Sequence, residues 1–288
     1  MERTERLVKI GGVLVFAASV AFVWYAVFTY QARANPRMTF FDVGQGDAIF
    51  LEMPNGNQVL IDGGPGGRVL ARLGRAMPFW DRSIEILILT HPHLDHVEGL
   101  IDVLKRYRVG MVVTSGAEYK TPEFEEWQKI IREKNIPLHI ARAGERINLG
   151  GGGVLDIFLP FTDFSGSSPK EIHDAMVAAK FSFGKNSVLL MGDAEREFEY
   201  KLVFFGFPVD SDILKVGHHG SRTSSAEEFV RAVSPDISVI EVGKKNRYGH
   251  PHEETIGTLT RFGGRILRTD ESGDIRVFFT ETGMRIIP

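Results

Sequence analysis

Apolar and polar residues alternate along this chain in short blocks, and the blocks predict many brief strands interleaved with helices. Residues 38–43, 48–53 and 58–61 are apolar or alternating runs separated by Gly-Gln-Gly-Asp and Pro-Asn-Gly-Asn, the turn chemistry of an antiparallel meander. Residues 84–89 (IEILIL) are almost wholly apolar and predict a buried central strand. From His96 onward the period changes. Val97, Leu100, Ile101, Leu104 and Tyr107 recur at helical spacing, so an amphipathic helix follows, its N-terminal dipole favouring an anion. The second half repeats the theme: strands over 175–183 and 187–191, then Gly192-Asp193, a helical segment over 195–205, and strands over 212–216 and 236–242. Glycines 150–153 read as a turn. This order excludes an all-α or all-β domain. It suits an α/β fold of two sheets packed face to face with helices outside, in which loops at strand ends converge on one cleft.

The N-terminus differs in kind. Nineteen uncharged residues, 10–28, follow Arg3, Arg6 and Lys9 and precede Gln31 and Arg33, a run long enough to cross a bilayer. They predict an N-terminal transmembrane helix, with residues 1–36 as anchor and linker and residues 37–288 as one folded domain. Trp24, Tyr25 and Tyr30 fit an interfacial belt, and the basic start favours a single-pass topology with the C-terminal domain outside the cytoplasm. A cleaved signal peptide is the rival reading, since Ala32-Arg33-Ala34 has the form of a cleavage site; the length of the run and Pro36 count against it. A buried core helix is the third.

Composition narrows the chemistry. The chain has 288 residues, 43% of them hydrophobic, enough for a substantial core. With a net charge of −3 it carries no overall positive field, so contact with a polyanion needs a local patch or bound metals. There is no cysteine, which excludes disulfides and thiolate sites and leaves His, Asp and Glu as ligands.

Such ligands are concentrated in Thr90-His91-Pro92-His93-Leu94-Asp95-His96, directly after the apolar strand. Imidazole and carboxylate are the groups that Zn²⁺ and similar ions take, and alternate positions let His91 and His93 point one way and Asp95 and His96 another. Two neighbouring metals can share this loop. Without a cation, so many polar side chains in one segment would be costly to bury. Asp193 after a second strand, and His218 and His219 after a third, add further ligands.

Together these features resemble the metallo-β-lactamase superfamily: HxHxDH after a buried strand, a later Gly-Asp, and a later strand-end histidine. The finer motifs, Phe41-Asp42-Val43-Gly44-Gln45-Gly46-Asp47, Ile61-Asp62-Gly63-Gly64-Pro65, Val216-Gly217-His218-His219-Gly220-Ser221 and Asn246-Arg247-Tyr248-Gly249-His250-Pro251, resemble the hydrolase domain of ComEC-type competence DNA-uptake channels and its stand-alone relatives. The resemblance runs from Arg37 to the C-terminus. It implies a four-layer αββα sandwich and a dinuclear metal-dependent hydrolase.

By that resemblance, His91 and His93 bind one metal, Asp95 and His96 the second, and Asp193 bridges. One of His218 and His219 completes the second site while the other faces substrate or a carboxylate; neighbours in extended chain point apart, so both are not expected to bind. His173 and Asp174 are the candidates to complete the first site, and Asp174 matches the ComEC-type pattern. Asp42, Asp47 and Asp62 lie in turns of the early strands, and Asp47 and Asp62 read as acceptors for the N–H groups of metal-bound imidazoles. Asp95 and His250 are the candidate catalytic side chains. His250 lies in a loop with Lys244, Lys245, Arg247 and Tyr248, where a phosphate would fit, and could donate a proton to it; Ser221, Arg222, Thr223 and Ser224 form a second such cluster. His252 reads as exposed and His139 as structural.

The expected activity is phosphodiester hydrolysis, with DNA, single-stranded in form, as the leading substrate and a separate permease as an implied partner. Two divalent ions are the implied cofactors: Zn²⁺ suits a histidine-rich set, and Mn²⁺ would be favoured if Asp174 binds. An envelope hydrolase of small phosphoesters or lactones is the first rival. A non-catalytic binding module is the second, and the intact ligand set counts against it.

Overall fold

The computed structural model describes residues 2–31 and 35–288. The N-terminal unit is one helix, α1 (Glu2–Gln31), and the compact unit from Pro36 to Pro288 holds everything else. Counting only the described side chains, no helix is long and apolar enough to cross a membrane. Positions 2–5, 8, 26 and 28–31 of α1 have side chains outside the description, and residues 32–34, on which the cleavage-site reading falls, lie outside it altogether. The expected membrane span is therefore not shown by the fold.

Two sheets form the domain. The chain builds the first as β1 (Arg37–Phe40), β2 (Ile49–Glu52), β3 (Gln58–Ile61), β4 (Ser83–Ile88), β5 (Arg108–Thr114) and β6 (Leu138–Ile140). It then builds the second as β7 (Arg146–Gly150), β8 (Gly153–Leu159), β9 (Ala178–Phe183), β10 (Asn186–Leu190), β11 (Ile213–Lys215), β12 (Ile237–Ile240) and β13 (Arg265–Arg268). Finally β14 (Ile275–Thr280) and β15 (Gly283–Ile287) return to the first sheet beside β1. The meander β1-β2-β3 is antiparallel, whereas β3 to β6 and β10 to β13 are parallel runs.

Side-chain alternation creates the layers. Ile49 and Leu51 face the second sheet, joining Met38, Phe181, Val188 and Ile213 in the central core. Phe50, between them, points outward with Leu60 and Leu87 onto Leu73 of α2 (Arg68–Ala76), Val97, Leu100 and Leu104 of α3 (Leu94–Arg106) and Trp127 of α4 (Pro122–Glu133). On the other outer face, Leu189 and Leu214 pack on Phe198 and Leu202 of α5 (Arg196–Phe204), Phe229 of α6 (Glu227–Val233) and Leu259 of α7 (Glu253–Phe262). The result is helices, sheet, sheet, helices. Because β4 runs parallel to β3 and β5, and β10, β11 and β12 run parallel to one another, the loops leaving their C-terminal ends gather at one end of the sandwich.

Candidate metal centre

Those loops carry the chemistry. His91 and His93 leave the end of β4 and His96 lies in the first turn of α3, which begins after His93. His91, His93, His173 and Asp193 each offer one ligand atom within 4.8 Å of the others, and so do Asp95, His96 and His219. Asp193 joins the two groups: its carboxylate lies 3.6 Å from His91 Nε2, 3.3 Å from His96 Nε2 and 3.5 Å from His219 Nε2. Gly192 before it has a φ of +51°, and a side chain there would meet the Met176 sulfur at 2.7 Å, so the strand end turns only with glycine.

The structure brings in His173 where the sequence points to Asp174. Both lie on the single 3₁₀ turn Ile172–Ala175, whose neighbours diverge. The His173 ring sits 4.9 Å from that of His93, while Asp174 turns to a surface groove with Glu197 and Lys201. The carboxylate expected in the first group is thus replaced by an imidazole. Substituting His173→Ala is expected to empty the first metal site, read as the loss of one ion per chain by mass spectrometry, whereas Asp174→Ala should leave the metal content unchanged; the reverse pattern would restore Asp174 as ligand.

His218 and His219 depart from the extended geometry assumed for them. Both lie in the left-handed region, with φ of 48° and 52°, a conformation that costs a non-glycine residue about 1–3 kcal/mol. The turn sends both rings toward the cluster. His219 Nε2 lies 3.5 Å from Asp95, whereas His218, less buried, has Nε2 3.8 Å from Asp193 and Nδ1 3.3 Å from Glu195. His219 offers the ligand atom of the second group, and the His218 ring lies between those of His173 and His250.

Behind the imidazoles stands a shell of acids. Asp62 accepts the Nδ1 proton of His96 at 2.8 Å and also binds the Thr90 amide and hydroxyl, so it fixes both ring and loop. Asp47 lies 3.2 Å from His219 Nδ1 and forms a fully buried ion pair with Lys215. Lys215 also donates to the Gly192 carbonyl at 2.9 Å, tying β11 to the turn that presents Asp193. Asp42 is elsewhere: it caps Gly44 and pairs with Arg72 of the helix Arg68–Ala76. Sequence reasoning missed Lys215, Glu195 and the buried Glu241, whose carboxylate accepts the Ala48 amide at 3.0 Å. The signal for Lys215 was a lone cation inside an apolar strand, which demands a buried partner.

The donor atoms fit divalent cations. His96 Nε2, His173 Nε2, His219 Nε2 and one Asp193 oxygen are buried without a hydrogen-bond partner among the described residues. Burial opposes charge on Asp193, but His219 and His96 outweigh it and hold its carboxyl well below the usual range. Burial likewise opposes charge on His96 and His219. Asp193, Asp62 and Asp95 nonetheless hold His96 well above the usual imidazole range, and Asp193 and Asp47 push His219 up to about 10. Burial, with His96, holds His91 well below that range, and burial with His173 brings His93 down to about 4.

At pH 8 the metal-free cluster therefore keeps His219 protonated, and an incoming metal must displace that proton. Metal loading at pH 8 should release protons, measured by calorimetry in buffers of different ionisation enthalpy; heats independent of the buffer would contradict it. Without metal, the stability contributed by these raised pKa values is complete below about pH 6.5 and is lost as the pH rises through that of His219.

A polar rim flanks the cluster. Asn246 folds its loop by donating to the Gly243 and His250 carbonyls and accepting the Tyr248 and His250 amides. This presents His250, stacked on Tyr248 with ring centres 5.6 Å apart and 5.7 Å from His218. Arg247 lies over the Tyr248 ring at 4.9 Å. Burial, His219 and His218 bring His250 down to about 4, which favours the neutral imidazole at pH 7 in the metal-free chain. Lys244, Lys245 and Arg222 are exposed, and Ser221 is buried, its hydroxyl 3.0 Å from that of Thr223. The Ser224 hydroxyl donates to the Gly217 and Ser221 carbonyls, so it braces the loop. His252 is half-buried and accepts the Arg222 amide, and His139 pairs with Glu145 on β6, away from the cluster.

Comparison with known proteins agrees with this geometry. Residues 41–243 match the profile of the Metallo-beta-lactamase superfamily. Among curated proteins, ComE operon protein 3 of Bacillus subtilis is 28% identical over 88% of this chain and 34% of its own length. Recombination protein 2 of Haemophilus influenzae is 29% identical over 95% and 33%, and Competence protein ComA of Neisseria gonorrhoeae 28% over 89% and 35%. The chain spans about a third of the length of these relatives. Among solved structures, CmlA, a diiron beta-hydroxylase from Streptomyces venezuelae, covers 85% of the chain and 54% of its own with a TM-score of 0.56 at 18% identity. Igni18, a metallo hydrolase from Ignicoccus hospitalis, covers 85% and 100% with a TM-score of 0.54 at 12% identity; both likenesses concern the fold. With its sandwich, its clustered ligands and a profile match over most of its length, the chain belongs to the metallo-beta-lactamase superfamily.

Proposed function

We propose that this metal-dependent hydrolase is a dinuclear phosphodiesterase that cuts DNA, with single-stranded DNA as the leading form. The observation that carries this reading is the rim: Arg247 over Tyr248, and Tyr248 on His250, make a cationic and aromatic platform beside the metal ligands, suited to a phosphate and an unstacked base. The competence relatives point the same way by name. His91, His93, His173 and Asp193 would hold one ion and Asp95, His96, His219 and Asp193 the other. Bound there, the pair would activate water and offset charge on the phosphoryl group. The histidine-rich set favours Zn²⁺ over Mn²⁺, because the oxygen donor expected at Asp174 is absent from it.

The protein's own residues do the rest. Asp62 holds the ring of His96 and the Glu241 carbonyl, 2.9 Å from Nδ1, holds that of His219, with the Asp47 carboxylate 3.2 Å from the same nitrogen. His250, neutral at pH 7, has its Nδ1 buried without a partner among the described residues, and the ring is placed to hydrogen-bond a phosphoryl or leaving oxygen. Arg247, Lys245 and Arg222 would screen the strand's charge, with Ser221 bracing the loop between them.

We also read α1 as an anchor holding the domain at the membrane. Val13, Leu14, Val15 and Phe16 are consecutive, apolar and exposed, so the helix has no polar face there. Arg6 and Lys9 before the apolar run support a topology with the domain outside the cytoplasm, where a permease would take up its product.

The metal-loaded chain should shorten a single-stranded oligonucleotide, and Arg247→Ala with Tyr248→Ala should raise KM severalfold with little change in kcat. Turnover of a lactone or a small chromogenic phosphodiester, with no cleavage of any DNA, would replace this reading with that of an envelope hydrolase.

A further inference from the structure

The end of the first sheet opposite the metal centre carries its own surface. The register fixes which end it is: Arg37 pairs with Glu52, Glu52 with Gln58 and Ser83 with Arg108, while Ile61 and Ile88, at the other ends of β3 and β4, lead into the site. The two ends are about 20 Å apart by the length of β4. The segment between the helix Arg68–Ala76 and β4 puts Phe79, 79% exposed, and Trp80, 49% exposed, on the surface at this far end, their rings edge to face at 4.8 Å.

Basic side chains line a groove beside them. Arg82, Lys105, Arg106, Arg108 and Lys134 converge there from the starts of β4 and β5 and the ends of α3 and α4. Lys105 pairs with Glu126, Lys134 donates to the Leu104 carbonyl and Arg82 lies over Tyr107. Arg106 and Arg108 have no ion-pair partner among the described residues. The acid in the groove, Asp81, is engaged by Gln58 and Ser83.

The first strand of the domain also begins at this end. Arg37, the first residue of β1, pairs with Glu52 and donates to the Ala76 carbonyl at 3.2 Å, next to the segment that bears Phe79. We propose that this end of the sheet docks on an anionic lipid surface, Phe79 and Trp80 entering the interface and the arginines meeting headgroup phosphates, so that the metal centre faces away from the membrane. Exposed aromatics beside cations are the chemistry of that boundary. A nucleic acid is the other polyanion such a groove could take. Two observations favour lipid: the ring pair is edge to face and offers no stacked platform, and the groove lies a sheet's length from the ligands that would cut a strand.

The proposal takes up the reading of α1 as an anchor, but its test separates the two. The chain has no cysteine, so Phe79→Cys or Tyr248→Cys in the full chain carries a single spin label. In phosphatidylglycerol vesicles the label at 79 should become severalfold more accessible to oxygen than to a water-soluble nickel chelate. The label at 248, on the site rim, should not. Charge reversal of Arg106 and Arg108 to Glu, or neutral lipid in place of anionic, should return the label at 79 to water. A 79 label that stays in water while the chain floats with vesicles would overturn docking and leave the anchor intact. Flotation lost in high salt, with the 79 label in lipid at low salt, would overturn the anchor and leave docking intact. Immobilisation of that label by a single-stranded oligonucleotide and not by lipid would overturn docking in favour of a nucleic-acid groove.

Discussion

Replacing Asp193 with alanine is expected to lower metal-dependent hydrolysis by about 10³-fold, the scale of losing a preorganised electrostatic group at a reacting centre. The reason is its position. Its carboxylate belongs to the first group of ligands and lies within 3.6 Å of imidazoles of both, His91 in the first and His96 and His219 in the second, so its loss disconnects them. Asp193→Asn, which keeps the volume but not the charge, should fall nearly as far, and both variants should lose metal. Turnover within tenfold of the parent protein would remove Asp193 from the chemistry.

The largest effect on stability is expected at Lys215. It is wholly buried on β11, and Lys215→Met leaves Asp47 buried without its cation; breaking such a pair costs about 3–5 kcal/mol, here offset in part because His219 remains beside Asp47. Urea unfolding of the metal-free chain would measure it. The double variant Lys215→Met with Asp47→Leu should recover much of the loss, since a buried pair is often replaceable by apolar side chains. Burial opposes charge on Asp47, but Lys215 and His219 outweigh it and hold its carboxyl below the usual range. The pair's contribution is therefore present above about pH 4 and is lost as the pH falls through the depressed value. A loss under 1 kcal/mol for the single variant would contradict this account.

The parts of the fold and site that lie close together in sequence were legible there. The apolar run that became β4, the ligands crowded into residues 90–96, and the strand, acid and helix around Asp193 are local patterns of period and spacing. What was not legible depended on backbone conformation or on distant partners. His173 and Asp174 are neighbours, and the 3₁₀ turn that carries them decides which side chain reaches the cluster. His218 and His219 were assigned the divergence of an extended chain, whereas two successive left-handed residues aim both rings inward. Asp42 looked like Asp47 and Asp62 in its turn, but Arg72 claims it. The Lys215 pair joins residues 168 positions apart, and no local pattern announces it.

The account rests on two cations sharing Asp193, and anomalous diffraction from crystals grown with Zn²⁺ tests it most directly. Two peaks are expected, one among His91, His93 and His173 and the other among Asp95, His96 and His219, with Asp193 between them. A single peak, or one centred on Asp174 or His218 in place of His173 or His219, would contradict it.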